Sequence, residues 1–260
     1  MRYMGGKSRI AKQLASMFNQ AIMIYNIDTY IEPFVGGASV IELVNCRNRI
    51  GNDLNHYQIA LLEKIRDEGP DSLPDVITRE DYYAVKDNKD KYPDWYVAYV
   101  GIVGSFNCIW FGGYGGSYKN NDGKETNSCI SFKNRLKANN EQSLLSGITL
   151  KCGDYKDLEI PKGSLVYCDP PYKGTREYKD KGFNHKEFYD WAIETAKDNL
   201  VFISEYRMPK EFKLVDYFHF SKSLSTNCDP DDAGSTDCLF VVKDGWLINE
   251  LFGECVINIL

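Results

Sequence analysis

The chain has 260 residues, 43% of them hydrophobic, enough to bury one substantial core and still carry an inserted lobe. Its formal charge of -6 and pI near 5.2 exclude a protein that coats nucleic acid by bulk electrostatics, so any polyanion must be met by local patches. The absence of an apolar run long enough for a signal peptide or membrane span, and eight scattered cysteines with no C-x-x-C pair beside only three histidines, point to a soluble cytoplasmic chain with reduced thiols and no metal site.

In chain order, the first predicted element is a helix over 7–18 (KSRIAKQLASMF). Gly5-Gly6-Lys7-Ser8 at its start resembles the end of a phosphate-binding P-loop. That loop needs a glycine where this chain has Met1, and no strand precedes it, which weakens an ATPase or kinase reading. Lys7 at a helix start either pairs with a ligand carboxylate or is solvated. A strand over 29–34 (TYIEPF) leads into Glu32-Pro33-Phe34-Val35-Gly36-Gly37-Ala38, where glycines at a strand-to-helix turn let a ligand approach the backbone closely. A helix is expected over 39–46. The next strand, 48–53 (NRIGND), ends on Asp53, about sixteen residues beyond Gly37 and placed to accept hydrogen bonds from ribose hydroxyls. A nucleoside-containing cofactor is the expectation.

Strand patterning then stops from Asn55 to about Ser146. Helical runs (YQIALLEKIRD, TREDYYAVKD, WYVAYVGIVGSF) give way to the glycine- and asparagine-rich FGGYGGSYKNNDGKETN. A gap of this size between strands is better explained by an inserted lobe than by a structureless loop. The expected organisation is therefore a first part over 1–56, an insertion over 57–145 and a second part over 146–260. Residues 117–140 hold Lys119, Lys124, Lys133, Arg135 and Lys137 against Asp122 and Glu125, a positive patch that the overall charge conceals.

Alternation resumes with strands over 148–154, 164–170, 200–206, 215–220 and 238–243 and a helix over 185–199, so the class is α/β with a mainly parallel, covered sheet. Asp169-Pro170-Pro171-Tyr172 follows the apolar run SLVYC and so sits at the carboxyl end of a strand, where parallel sheets bind ligands. An aromatic amine is a poor nucleophile until acceptors draw its N–H groups out of the ring plane. Asp169 and the Pro170 carbonyl supply two such acceptors, the prolines stiffen the turn, and Tyr172 offers a face to an unstacked base. The following residues 173–186 carry Lys173, Arg176, Lys179, Lys181 and Lys186 against Glu177 and Asp180, and their position beside the turn favours phosphate contact.

Taken together, RYMGGK, EPFVGGAS, GNDLN, a long insertion, CGDY, YCDPPY and ISEY resemble the Dam-like, D12 (alpha-class) family of DNA adenine-N6 methyltransferases, from Arg2 to Glu205. The resemblance implies a Rossmann-like, seven-stranded methyltransferase sheet with a mostly helical target-recognition insertion, S-adenosylmethionine as cofactor and double-stranded DNA as partner. By the same resemblance Tyr3 and Lys7 contact the cofactor, Phe34, Gly36 and Gly37 line its pocket, Asp53 holds the ribose, and Asp154 or the Tyr155 backbone meets the cofactor adenine. Asp169 then lies between cofactor and target base. The family pattern is commonly Phe-x-Gly-x-Gly; Ala38 at its last position is expected to alter packing rather than cofactor identity.

The expected reaction is direct transfer, with the extruded adenine stacked on Tyr172 and polarised by Asp169 and the Pro170 carbonyl, and with no metal, protein nucleophile or obligate protein partner. Methylation at cytosine C5 needs a thiolate, and none of the nine prolines is followed by the cysteine that typically supplies it. Methylation of cytosine N4 and a catalytically inert DNA-binding relative stay open as alternatives. Within the insertion Lys119, Asn120, Asn121, Lys133 and Arg135 are candidate DNA contacts, because Asn and Arg make bidentate contacts to base edges.

Overall fold

The computed structural model describes residues 6–119, 122–123, 125–172, 182–219 and 236–246. Its strands are β1 (Thr29–Glu32), β2 (Asn48–Asp53), β3 (Ser117–Lys119), β4 (Glu125–Asn127), β5 (Ile148–Cys152), β6 (Leu165–Cys168), β7 (Leu200–Glu205), β8 (Phe212–His219) and β9 (Thr236–Val242). The helices are α1 (Ala11–Tyr25), α2 (His56–Glu68), α3 (Arg79–Asp87), α4 (Asp94–Val103), α5 (Ser128–Ala138), α6 (Glu141–Leu145) and α7 (His185–Thr195). Seven strands form a mixed, mainly parallel sheet in the order β5-β2-β1-β6-β7-β9-β8, and β3 and β4 form a separate antiparallel pair. This is the α/β class and the strand number expected from the motifs.

The chain divides into two compact units. One comprises 16–34, 45–49 and 156–260. Here β6 pairs in parallel with β1 and β7, and every residue of β6 and β7 is buried, the apolar LVYC and LVFI runs as strands covered on both faces require. Phe18 is the hub of this core, with ring centroids 5.9 Å from Tyr30, 5.0 Å from Tyr167 and 5.1 Å from Phe202. Strand β9 pairs antiparallel with both β7 and β8, and a register shift between Leu214 and Asp216 marks a bulge in β8. Helix α7 starts where the Asn184 side chain accepts the Glu187 N–H at 3.2 Å.

The other unit comprises 1–15, 35–44 and 50–155. Its helices carry the start signals their sequences encode. Asn55 caps α2, a reciprocal Thr78–Asp81 capping box opens α3, and the Asn127 side chain accepts the Cys129 and Ile130 N–H groups at 2.8 and 3.3 Å to open α5. The glycine-rich stretch is tied down: Phe106 N–H donates to the Gly113 carbonyl and Gly115 N–H to the Gly104 carbonyl, each at 2.8 Å. The Tyr114 hydroxyl reaches the Ile77 carbonyl at 2.8 Å.

One predicted element is absent. In place of a helix over 39–46 there is a single 3-10 turn, Ile41–Leu43. Ala38 sits at φ +59°, in the left-handed region, so the chain enters this segment from a non-helical backbone. The β-branched Val40, Ile41 and Val44 are buried and are held in the core rather than along a helix face. Ala38 is thus more than the packing change expected of it: it occupies a backbone conformation that favours glycine.

Candidate active site

In the unit that contains residues 35–44 and 50–155, the strand-terminal Asp53 is the organising group. Its Oδ2 accepts the Gly36 N–H and its Oδ1 the Asn55 N–H, both at 2.9 Å. Gly36 adopts φ +46°, and the Val35 N–H donates to the Asn52 carbonyl at 2.8 Å, so the glycine turn is moored to the end of β2 at two places. The same strand end holds the CGDY segment: the Asn52 Nδ2 donates to the Gly153 carbonyl at 2.9 Å, and the Gly153 N–H donates to the Asp53 carbonyl at 3.1 Å. Asp154 and the buried Tyr155 follow directly.

Burial pushes the Asp53 carboxyl up, while the N–H groups of Asn55, Gly36 and Leu54 pull it down. With three backbone N–H donors on its two oxygens, the carboxylate keeps a further acceptor direction, which can take a hydroxyl such as that of a ribose. Leu54, next to Asp53 in sequence, is exposed. Lys7 is 8% exposed, which removes the solvated reading of this residue.

In the unit that contains 16–34 and 156–260, Asp169-Pro170-Pro171-Tyr172 leaves the end of β6, whose Cys168 lies opposite Ile203 of β7. Tyr172 is 8% exposed and meets Tyr206 edge to face, with centroids 4.7 Å apart and planes at 87°. Burial pushes the Tyr172 phenol up, with Asp169 and Asp237 adding to the effect, so its ring is a neutral surface rather than a base. The thiol of Cys168 is pushed up by burial and by Asp169 and Glu32, so no thiolate nucleophile forms next to the turn. Phe34 stands edge to face with Phe183 at 5.9 Å and Phe188 at 5.7 Å.

Several predicted residues are placed differently from expectation or lie outside the described residues. Lys133, expected on a DNA-facing patch, is 7% exposed; its ammonium donates to the Leu73 carbonyl at 2.8 Å and to Asp75 at 2.5 Å. Lys137 pairs with Asp71, and the Arg135 guanidinium lies 5.5 Å from the Phe132 ring. The patch had been balanced only against carboxylates in its own stretch, whereas Asp71 and Asp75 come from far upstream. Lys133 is therefore corrected to a structural cation. Tyr3, Asn120, Asn121, Lys173, Arg176 and the Lys119 side chain lie outside the described residues. Among the described residues no group of three or more His, Cys, Asp or Glu can hold a metal, and no helix is long and apolar enough to cross a membrane.

Residues 3–217 match the model of the D12 class N6 adenine-specific DNA methyltransferases. The chain is 30% identical to the type II methyltransferase M.MjaIII of Methanocaldococcus jannaschii, over 99% of this chain and 92% of that protein. It is 26% identical to the type II methyltransferase M.FokI of Planomicrobium okeanokoites and 24% identical to the DNA N-6-adenine-methyltransferase of Escherichia phage P1. Those two matches cover 74% and 75% of this chain but only 31% and 26% of the longer relatives. Matched over residues 3–217 by this family's model and 30% identical to M.MjaIII over nearly its whole length, the chain belongs to the D12 class N6 adenine-specific DNA methyltransferases, which act with S-adenosylmethionine.

Proposed function

We propose that the chain methylates adenine in duplex DNA after drawing the base out of the helix, with Asp169, Pro170 and Tyr172 serving the base and Asp53 serving the cofactor. The single observation that carries this is the Asp169-Pro170-Pro171-Tyr172 turn at the end of the fully buried parallel strand β6. S-adenosylmethionine, when bound, supplies a methyl group already activated on a sulfonium sulfur. Asp169 and the Pro170 carbonyl accept the N6 hydrogens and turn the amine lone pair out of the ring, and Tyr172 takes the exposed base face. Asp53 accepts the ribose hydroxyls, Gly36, Gly37 and Phe34 line the pocket, Tyr3 and Lys7 contact the cofactor, and Asp154 or the Tyr155 backbone reads the cofactor adenine.

The segment 57–145 is proposed as target-recognition insertion within a catalytic domain formed by 1–56 and 146–260. Lys119, Asn120, Asn121 and Arg135 in that insertion, and Lys173 and Arg176 after the turn, are proposed DNA contacts, and the protein is proposed to act in the cytoplasm. The intact Asp53 and Asp169 argue against an inert relative.

Two variants separate the roles. Asp53→Ala is expected to weaken S-adenosylmethionine binding roughly tenfold to a hundredfold, from the loss of charge-assisted hydrogen bonds to two hydroxyls, and to leave DNA affinity near that of the parent. Asp169→Ala is expected to bind the cofactor and abolish transfer. Equilibrium dialysis with labelled cofactor reads the difference; unchanged cofactor affinity in Asp53→Ala would overturn the assignment.

A further inference from the structure

The residue after β7, Tyr206, packs against Tyr172. Since β6 and β7 pair in parallel with Cys168 opposite Ile203, the Asp169-Pro170-Pro171-Tyr172 turn leaves the sheet alongside Ser204, Glu205 and Tyr206. Ser204 is buried and its Oγ shares a 2.8 Å hydrogen bond with the Tyr167 hydroxyl, two residues before Asp169. Glu205 is 1% exposed, and its Oε1 accepts the N–H of Tyr206 at 2.8 Å. That contact restrains the backbone from which the Tyr206 ring projects. The ring, half-buried, meets Tyr172 nearly perpendicular, with planes at 87°.

A tyrosine ring turns about a broad torsion, so packing has to set its plane. Tyr206 meets the Tyr172 ring edge to face, with centroids 4.7 Å apart. We infer that Tyr206 is a positioning residue for the target base: restrained through Glu205, it fixes the plane of Tyr172 so that an extruded adenine meets a stacking face already in place. The inference rests on the assignment of Tyr172 as that stacking face. Loss of Tyr206 removes one of the contacts that hold the Tyr172 plane, and the base is then held less often in the position for transfer.

The test compares the parent with Tyr206→Leu, Tyr206→Ala, Tyr206→Phe and Tyr172→Ala. Three quantities are read: cofactor affinity, single-turnover methyl transfer at saturating cofactor, and emission of duplexes carrying 2-aminopurine at the adenine the parent methylates. Tyr206→Leu keeps most of the packing volume and removes the aromatic edge, so it remains informative if Tyr206→Ala fails to fold. An edge-to-face pair of this kind corresponds to roughly a threefold to tenfold effect. Tyr206→Leu is therefore expected to lower the transfer rate and the 2-aminopurine emission by that factor, with cofactor affinity unchanged and with Tyr206→Phe like the parent. If Tyr206→Leu matches the parent while Tyr172→Ala loses rate and emission, the inference falls and the stacking assignment stands. If Tyr172→Ala itself matches the parent in both, the stacking assignment falls and the inference with it.

Discussion

Replacing Lys133 of α5 by Met keeps a buried apolar stem and removes the ammonium. Two contacts are lost with it: the 2.8 Å hydrogen bond to the Leu73 carbonyl and the 2.5 Å pair with Asp75. A hydrogen bond from a charged donor contributes about 1.5–3 kcal/mol. The Asp75 side chain is 69% exposed, so the screened ion pair adds at most about 1 kcal/mol. Part of this is offset by the lower desolvation of a thioether, leaving an expected loss of about 2 kcal/mol, or roughly 4–8 °C in melting temperature for a chain of this size. DNA affinity should then be measured against salt concentration. A lysine that neutralises a phosphate shifts that slope by about one, whereas a structural lysine leaves it unchanged. A Lys133→Met variant that melts like the parent but shows a slope reduced by about one would refute the structural assignment.

Burial, with the Glu141 carboxylate adding to it, raises the Glu42 carboxyl from 4.5 to about 7. Because the folded value lies above the unfolded one, the stability this group contributes is full below about pH 4.5 and is lost as the pH rises through about 7. Glu42→Gln should therefore gain melting temperature relative to the parent between pH 6 and 8 by roughly a few degrees and little at pH 4.5; a pH-independent difference would contradict the assignment. Gln58 of α2 is 0% exposed, and among the described residues neither its Oε1 nor its Nε2 has a hydrogen-bond partner. Gln58→Met is expected to be neutral or stabilising by about 1 kcal/mol in chemical denaturation, since it removes two buried polar atoms at similar volume; a loss above about 2 kcal/mol would show that the amide is satisfied in solution.

The sheet was legible because local pattern and burial agree in it. NRIGND is β2 to the residue, and LVYC and the LVFI run of β7 are apolar because both faces are covered. The ends of these strands placed Asp53 and Asp169 at turns, which is why the candidate site could be read from short motifs. Elsewhere the controlling contacts are distant in sequence. The segment after Ala38 looks helical by composition, yet its left-handed entry and buried β-branched residues decide otherwise. The charge on 117–140 looked free because its balancing carboxylates, Asp71 and Asp75, belong to a turn and loop far upstream. Tyr206 drew notice only as part of ISEY; its pairing with Tyr172 depends on the β6–β7 register, which no local motif reports.

The most direct measurement is methyl transfer from labelled S-adenosylmethionine to unmethylated duplex DNA by the parent chain and by Asp169→Ala, with the product digested to nucleosides. Label in N6-methyladenine from the parent, and none from Asp169→Ala at equal cofactor binding, is the expected result. Label in N4-methylcytosine, or N6-methyladenine formed by Asp169→Ala at the parental rate, would contradict the account.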